Sequence, residues 1–366
     1  MNANQEKKAM SVKTVLFFVG VCIGMSAHAL KYTWKADESG NWDGNITDVV
    51  HWTCDTAGKP GYPQTSDAQV DIPAGATATI TINEDITTSH WRVYSGSKLT
   101  LISAESDNAA NKNMKCLTMG QMRTETAGGT FVFDHARVKS DGDNGINFIC
   151  SGTGIVKNGT YITFKKLAIF EKTSSSVFSL NPGTLFETGN ITIGGGNQII
   201  INDAILKTGG GIYNGDKYGC PQGNGVIVLK GAEPKLEFTD KTKKVGGCST
   251  VDSVLDFTFV IPEGGFKSTP VISKAGQQNL FGSLHDSTLC GKIRINVLDE
   301  SPVVASPKKM THRLIEWDKG FDLDYVIEGN LPKKATEKRF DAGVELPGVY
   351  SAIIKGGLRG MKVIVR

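Results

Sequence analysis

The sequence predicts an all-β fold in which short strands stack as a β-solenoid, with a β-sandwich or jelly roll as the alternative. Three observations carry that expectation. Triplets in which two apolar residues flank a single position recur along the chain; Gly, Asn, Asp and Ser bound them; and 43 glycines work against helices. Ile80-Thr81-Ile82, Leu99-Thr100-Leu101, Phe131-Val132-Phe133, Ile146-Asn147-Phe148, Ile162-Thr163-Phe164 and Phe178-Ser179-Leu180 open the series. Ile191-Thr192-Ile193, Ile199-Ile200-Ile201, Val226-Ile227-Val228, Leu236-Glu237-Phe238, Phe257-Thr258-Phe259 and Ile293-Arg294-Ile295 continue it. Alternate side chains on a strand point to opposite faces, so each triplet offers two apolar groups to one core.

Stacked coils are favoured over facing sheets because both short gaps and gaps of about 20 residues or more separate the triplets, as when each coil carries several strands and loops of variable length. Asn181, Asn190, Asn197, Asn202, Asn214 and Asn224 stand beside the strands. There their amides can link coil to coil, or their backbones can take left-handed turns. The counterweight is the lack of a clean sequence repeat, which keeps the sandwich in play.

The N-terminus comes first in the chain. Lys7, Lys8 and Lys13 precede an apolar run from Val15 to Met25, and Ala27-His28-Ala29 has the small-x-small pattern of a signal-peptidase site. Residues 1–29 therefore read as a signal peptide. The run is short of the roughly 20 residues of a membrane span, and no comparable run follows, so no span is expected after cleavage. An exported, extracellular or cell-surface chain is the expectation.

The segment 30–75 holds Tyr32-Thr33-Trp34, Gly40-Asn41-Trp42, Val50-His51-Trp52, Gly61-Tyr62-Pro63 and the run Asp67 to Gly75. It resembles the opening segment of secreted bacterial parallel β-helix proteins, many of them autotransporter-like or large surface proteins. The resemblance implies a right-handed parallel β-helix over 76–300 whose open first coil is covered by the tryptophans. A cap of large aromatic side chains has a physical purpose, since a solenoid end exposes apolar core and unpaired backbone. Exposed Trp34, Trp42 and Trp52 would instead offer stacking platforms for sugar rings, which makes them the candidate glycan-binding residues.

Residues 301–366 read as a C-terminal β-tail similar to the one that follows the coils in the same proteins. Its strands are Arg313 to Trp317, Asp322 to Ile327, Gly348 to Ile354 and Gly360 to Arg366, after a hinge marked by Pro302, Pro307 and Lys308-Lys309. The resemblance covers about a third of the chain after the leader and transfers no catalytic residue. It implies a non-catalytic structural or adhesive module, with polysaccharide or cell-envelope components as candidate partners. The competing class is a carbohydrate-active enzyme, a polysaccharide lyase or glycoside hydrolase, on the same scaffold.

Forty Lys plus Arg against 37 Asp plus Glu give a net charge of +3, which argues against a nucleic-acid partner. Of the seven cysteines, Cys22 lies in the leader, leaving Cys54, Cys116, Cys150, Cys220, Cys248 and Cys290 as candidates for disulfides in an oxidising compartment. One or two bridges with buried thiols and full pairing both remain open. No CxxC pair occurs, so a structural zinc site is not expected.

Chemical motifs are sparse. Asp141-Gly142-Asp143-Asn144-Gly145 opens like a calcium loop, but Gly152 stands where the bidentate acid belongs, which favours a plain turn. His51, His90, His135, His285 and His312 are scattered, and neither a Gly-x-Ser-x-Gly elbow nor a phosphate loop is present. Glu171, Glu187, Asp203 and Asp216 are acids that could share one face, and Lys165, Lys166, Lys172 and Lys207 are the bases a lyase could use. No cofactor is expected.

Overall fold

Thr77-Ala78-Thr79-Ile80-Thr81-Ile82 shows how the chain is built: its alanine and isoleucines are buried, while its threonines face outward. β-Branched residues in strict alternation suit a pleated strand with one wet side. The structure, a computed structural model, describes residues 29–104, 114–140, 142, 145–168, 175–214, 224–240, 245–247, 254–263, 265–267, 271–274, 292–299, 310–318, 324–327, 340–342 and 349–356. The fold is all-β, and its strands form three long sheets.

Sheet 1 has 15 strands, sheet 2 has 11 and sheet 3 has four among the described residues. The chain visits them in rotation. Val177–Leu180 lies in sheet 2, Leu185–Thr188 in sheet 1 and Asn190–Ile193 in sheet 3; Gln198–Asn202, Ile205–Thr208 and Ile212–Asn214 then repeat the circuit. Each strand pairs in parallel with its counterpart one circuit later. Side chains cross the same interval: Ser176 N–H donates to Asn197 Oδ1 over 21 residues, and Asn158 Nδ2 donates to Asp134 Oδ1 over 24.

Parallel register turns alternation into ladders. On sheet 1, Ile86, Leu117, Val138, Ile162, Phe186, Leu206, Leu236 and Ile272 stand one above the next, all buried. On sheet 2, Leu99, Phe131, Gly154, Phe178, Ile199, Ile227 and Phe257 form a second column. Burying each such side chain is worth about 1.5–3 kcal/mol, so the columns hold the circuits together. Backbone groups are met mostly between circuits, as in any β-ladder.

All twelve triplets lie in strands. Among the triplets whose burial is described, one has the opposite parity to that expected. In Gly225–Lys230 it is Ile227 and Leu229 that are buried, and Val226 and Val228 face outward. An unbroken apolar run carries no alternation of its own, so the neighbouring circuit decides, with Ile227 stacking on Ile199 and Leu229 on Ile201. Parallel pairing also runs past residue 300, through Ile272 with Ile315 and through Lys292–Asp299 with Asp324–Ile327.

Both ends of sheet 1 turn antiparallel. Lys31–Trp34 pairs with Trp52–Cys54 at the start, and Met310–Asp318 pairs with Val349–Gly356 at the finish. Residues 1–28 and 357–366, which include nearly all of the leader and the final strand expected from sequence, lie outside the described residues. Among the described residues, no helix is long and apolar enough to cross a membrane.

Candidate functional site

The N-terminal tryptophans come together, but as core. Trp34 is wholly buried and Trp52 nearly so, with ring centroids 4.6 Å apart in an edge contact. His51 stacks on Trp34 at 4.6 Å, and Tyr32 meets Trp52 edge-on at 6.3 Å. The indole N–H groups are used internally, from Trp34 to the Trp42 carbonyl at 2.7 Å and from Trp52 to the Ile46 carbonyl at 2.8 Å. Burial drives the Tyr32 phenol up to about 12, with Cys54 adding to it. This corrects the assignment of Trp34 and Trp52 as sugar platforms: neither has an open ring face. Trp42 is half-buried against the same cluster.

The outward face of sheet 1 brings together residues far apart in sequence. Here alternation turns one residue in two to solvent, and the register aligns Lys139, Thr163, Glu187, Lys207 and Glu237 in one row. A flanking row holds Arg137, Tyr161, Leu185, Ile205 and Lys235. Thr163, Lys165, Glu187, Gly189, Lys207, Gly209 and Thr239 line a groove of about 380 Å³ across the strand ends. Two of the lysines and one of the acids marked in the sequence thus meet at a single site.

Its electrostatics are internally matched. Lys235 lies 2.8 Å and Lys207 3.5 Å from the Glu237 carboxylate. Burial alone would raise the Glu237 carboxyl, but the two lysines outweigh it and hold it below the ordinary glutamate range. Tyr161 donates to Glu187 Oε2 at 2.7 Å. Burial first, then the Glu187 carboxylate, raises the Tyr161 phenol despite a hydrogen bond with Thr163. The groove can therefore offer lysine donors, hydroxyls and a carboxylate beside a strip of apolar surface.

A second charged cluster, near the start of the chain, is structural. Asp71 accepts from Lys31 at 3.1 Å, from Arg92 Nε at 2.6 Å and from Tyr94 Oη at 3.3 Å. Arg123 and Glu125 extend it as an ion pair. Burial, then Arg123 and Arg92, push the neighbouring His90 imidazole below its usual range.

The remaining candidates separate. Asp203 sits in a left-handed turn at φ 47° and accepts the Glu233 N–H at 2.7 Å, a turn-fixing role. Glu171, Lys172, Asp216 and His285 lie outside the described residues, as do Asp141, Asp143 and Asn144 of the calcium-like segment. Lys166 and His312 fall in strands. Cys54, Cys116 and Cys150 are free thiols, which sets aside full pairing, one of the two alternatives the sequence left open. They occupy different strands and loops: Cys116 is buried on sheet 1, and Cys150 donates to the Glu125 carbonyl at 3.1 Å. Cys220, Cys248 and Cys290 lie outside the described residues. Among the described residues no three His, Cys, Asp or Glu side chains converge as a metal cage.

Sequence reasoning passed over Tyr161, Leu185 and Ile205, for which no local signal existed. Only the register makes them neighbours. Comparison with protein-family models, with curated proteins and with solved structures returns no match in any of the three.

Proposed function

We propose that the chain is an exported structural or adhesive module, a right-handed parallel β-helix that works at the cell surface or outside the cell and binds glycans without cleaving them. The observation that carries this reading is the continuity of parallel register along sheet 2, from Gly44–Asn45 to Asp324–Ile327. A chain that visits its sheets in rotation and keeps that register is a β-solenoid in architecture, with long flat faces suited to extended partners. The signal-like leader and the likeness of the N-terminal segment to secreted β-helix surface proteins support the location. The buried Trp34–Trp52 pair suits a plug over the first circuit, where an open end would invite edge-to-edge association.

One relationship favours the enzyme reading. Glu187 and Glu237 stand two strands apart on one row, about 9.6 Å at ordinary strand spacing, close to the about 6.5–9.5 Å of inverting glycosidase carboxyls. The chemistry counts against it. A general acid needs a raised pKa, whereas Lys235 and Lys207 hold Glu237 ionised and Tyr161 already engages Glu187. Screening the full chain on a glycan array, beside reducing-sugar and unsaturated-uronate release assays, separates the two. Binding without product release is expected; turnover would establish the enzyme instead.

A further inference from the structure

The outward face of sheet 1 between Arg137 and Glu237 has two properties that together define a ligand class. The first is charge. Arg137, Lys139, Lys165, Lys207 and Lys235 are set against Glu187 and Glu237 on the two rows and the groove. Asp203 and Glu233 lie at the turn leading into the strands, at the edge opposite Lys165. On one row Lys139 and Lys207 stand three strands apart, about 14 Å at ordinary strand spacing, with Thr163 and Glu187 between them and Lys165 lining the adjoining groove, so a linear polyanion lying along the stack meets spaced cations whose intervals suit acid groups set a few ångströms apart.

The second is a narrow apolar strip. Half-buried Tyr161, Leu185 and Ile205 stand side by side in the register, directly beside Thr163, Glu187 and Lys207. A pyranose ring has apolar C–H faces and an equatorial rim of hydroxyls, which match a Tyr-Leu-Ile strip flanked by donors and acceptors. A nucleic acid would call for aromatic platforms on which successive bases stack, and Tyr161 is the one aromatic side chain named in these rows.

We propose that this face binds an acidic polysaccharide, a linear glycan carrying carboxylate or sulfate groups, laid along the stack of circuits. Lys139 and Lys165 meet the acid groups, Lys207 is shared between the ligand and Glu237, and Tyr161, Leu185 and Ile205 support the sugar rings. Glu187 and Thr163 take up hydroxyls. The inference rests on the glycan-binding reading above and adds the ligand's charge and its place.

The test titrates the full chain with polygalacturonate, alginate and heparin, and with dextran and single-stranded DNA as comparisons, at about 50 and about 300 mM salt. The first two polymers carry carboxylates and the third carries sulfates as well, so the arms distinguish the anion. A Lys139→Gln/Lys165→Gln variant is compared with Lys98→Gln/Lys230→Gln, which removes the same charge from the outward side of sheet 2. Far-UV circular dichroism and unfolding midpoints establish that both fold. The expected result is salt-weakened binding of an acidic polymer that is at least about ten-fold weaker in the first variant and within about two-fold of the parent in the second.

Equal loss in both variants, no loss in either, or equal binding of dextran or DNA overturns the assignment of this face to acidic glycans. Absence of glycan binding by the unmodified chain defeats the broader glycan reading instead, so the two failures are distinguishable.

Discussion

Phe131 and Phe178 close over the space left by Gly154, with ring centroids 6.4 Å apart. The three residues stack in successive circuits of sheet 2. A Cβ on Gly154 would fall 2.6 Å from an atom of each ring, well inside contact distance. The rings belong to the core column, with no open side to retreat to. Gly154→Ala should therefore destabilise the protein by about 1–3 kcal/mol, through overpacking. Denaturant unfolding measures this, and an unchanged midpoint would mean the column is looser than described.

Trp34 should behave as a core residue. Trp34→Ala removes the stack on His51 and the edge contact with Trp52, and is expected to cost about 3–5 kcal/mol. Hydrogen exchange should show the loss concentrated in Lys31–Trp34, Trp52–Cys54 and Gln69–Ile72, the strands that pair around it. Indole fluorescence offers the complementary check, since soluble sugars should leave the emission of Trp34 and Trp52 unshifted.

Acidification should weaken the fold in two windows. His90 is held neutral in the fold by burial and by Arg123 and Arg92. The unfolded chain protonates this histidine near about 6.5, so below that pH it binds more protons and stability falls toward the lower folded value. Glu237 has a depressed folded pKa, so its contribution is complete above the ordinary glutamate value of about 4.3 and drains away as pH falls through the folded value. His90→Gln should flatten the first window and Glu237→Gln the second, read from unfolding midpoints across pH.

Thiol chemistry should discriminate among the free cysteines. Burial raises the Cys116 thiol above its usual range despite Arg137 and Lys139, which keeps it protonated and unreactive. Cys116 should resist alkylation in the native protein and become available on unfolding, while half-buried Cys54 and Cys150 react sooner. Peptide mapping after timed alkylation reads the order. Fast labelling of Cys116 would count against its burial.

What was legible in the sequence was local. The alternation in Thr77–Ile82 and the turn residues around it announced strands one at a time, and the crowding of Trp34, Trp42 and Trp52 announced aromatic packing. The asparagines also carried a usable signal. Asn197 accepts from Ser176 N–H, Asn181 donates to the Val156 carbonyl at 3.1 Å, and Asn190 accepts from Gly211 N–H, each bonding the backbone of an adjacent circuit. Among the described residues the left-handed turns fall elsewhere, at eleven glycines and at His135, Asn158, Ser175 and Asp203.

What was not legible was register. Val177 pairs with Gln198, but Gln198 pairs with Val226 after a longer interval of sequence, so no fixed period tells which residues become neighbours. The site depends wholly on that. Lys165, Glu187 and Lys207 are distant in sequence and meet because each lies one circuit beyond the last. The parity of Val226 and Val228 was hidden for the same reason, since an unbroken apolar run takes its orientation from its neighbour.

Parallel stacking underlies both the core and the outward rows, and pulsed electron spin resonance measures it directly. Thr77, Lys98, Thr130, Thr153, Val177, Gln198 and Val226 occupy one outward row of sheet 2. Spin labels at Thr77 and Val177 should lie about 19 Å apart, and labels at Thr77 and Val226 about 29 Å apart, one strand spacing per circuit. Two distances that fail to grow in step with the number of circuits would contradict the fold and the proposed glycan face built on it.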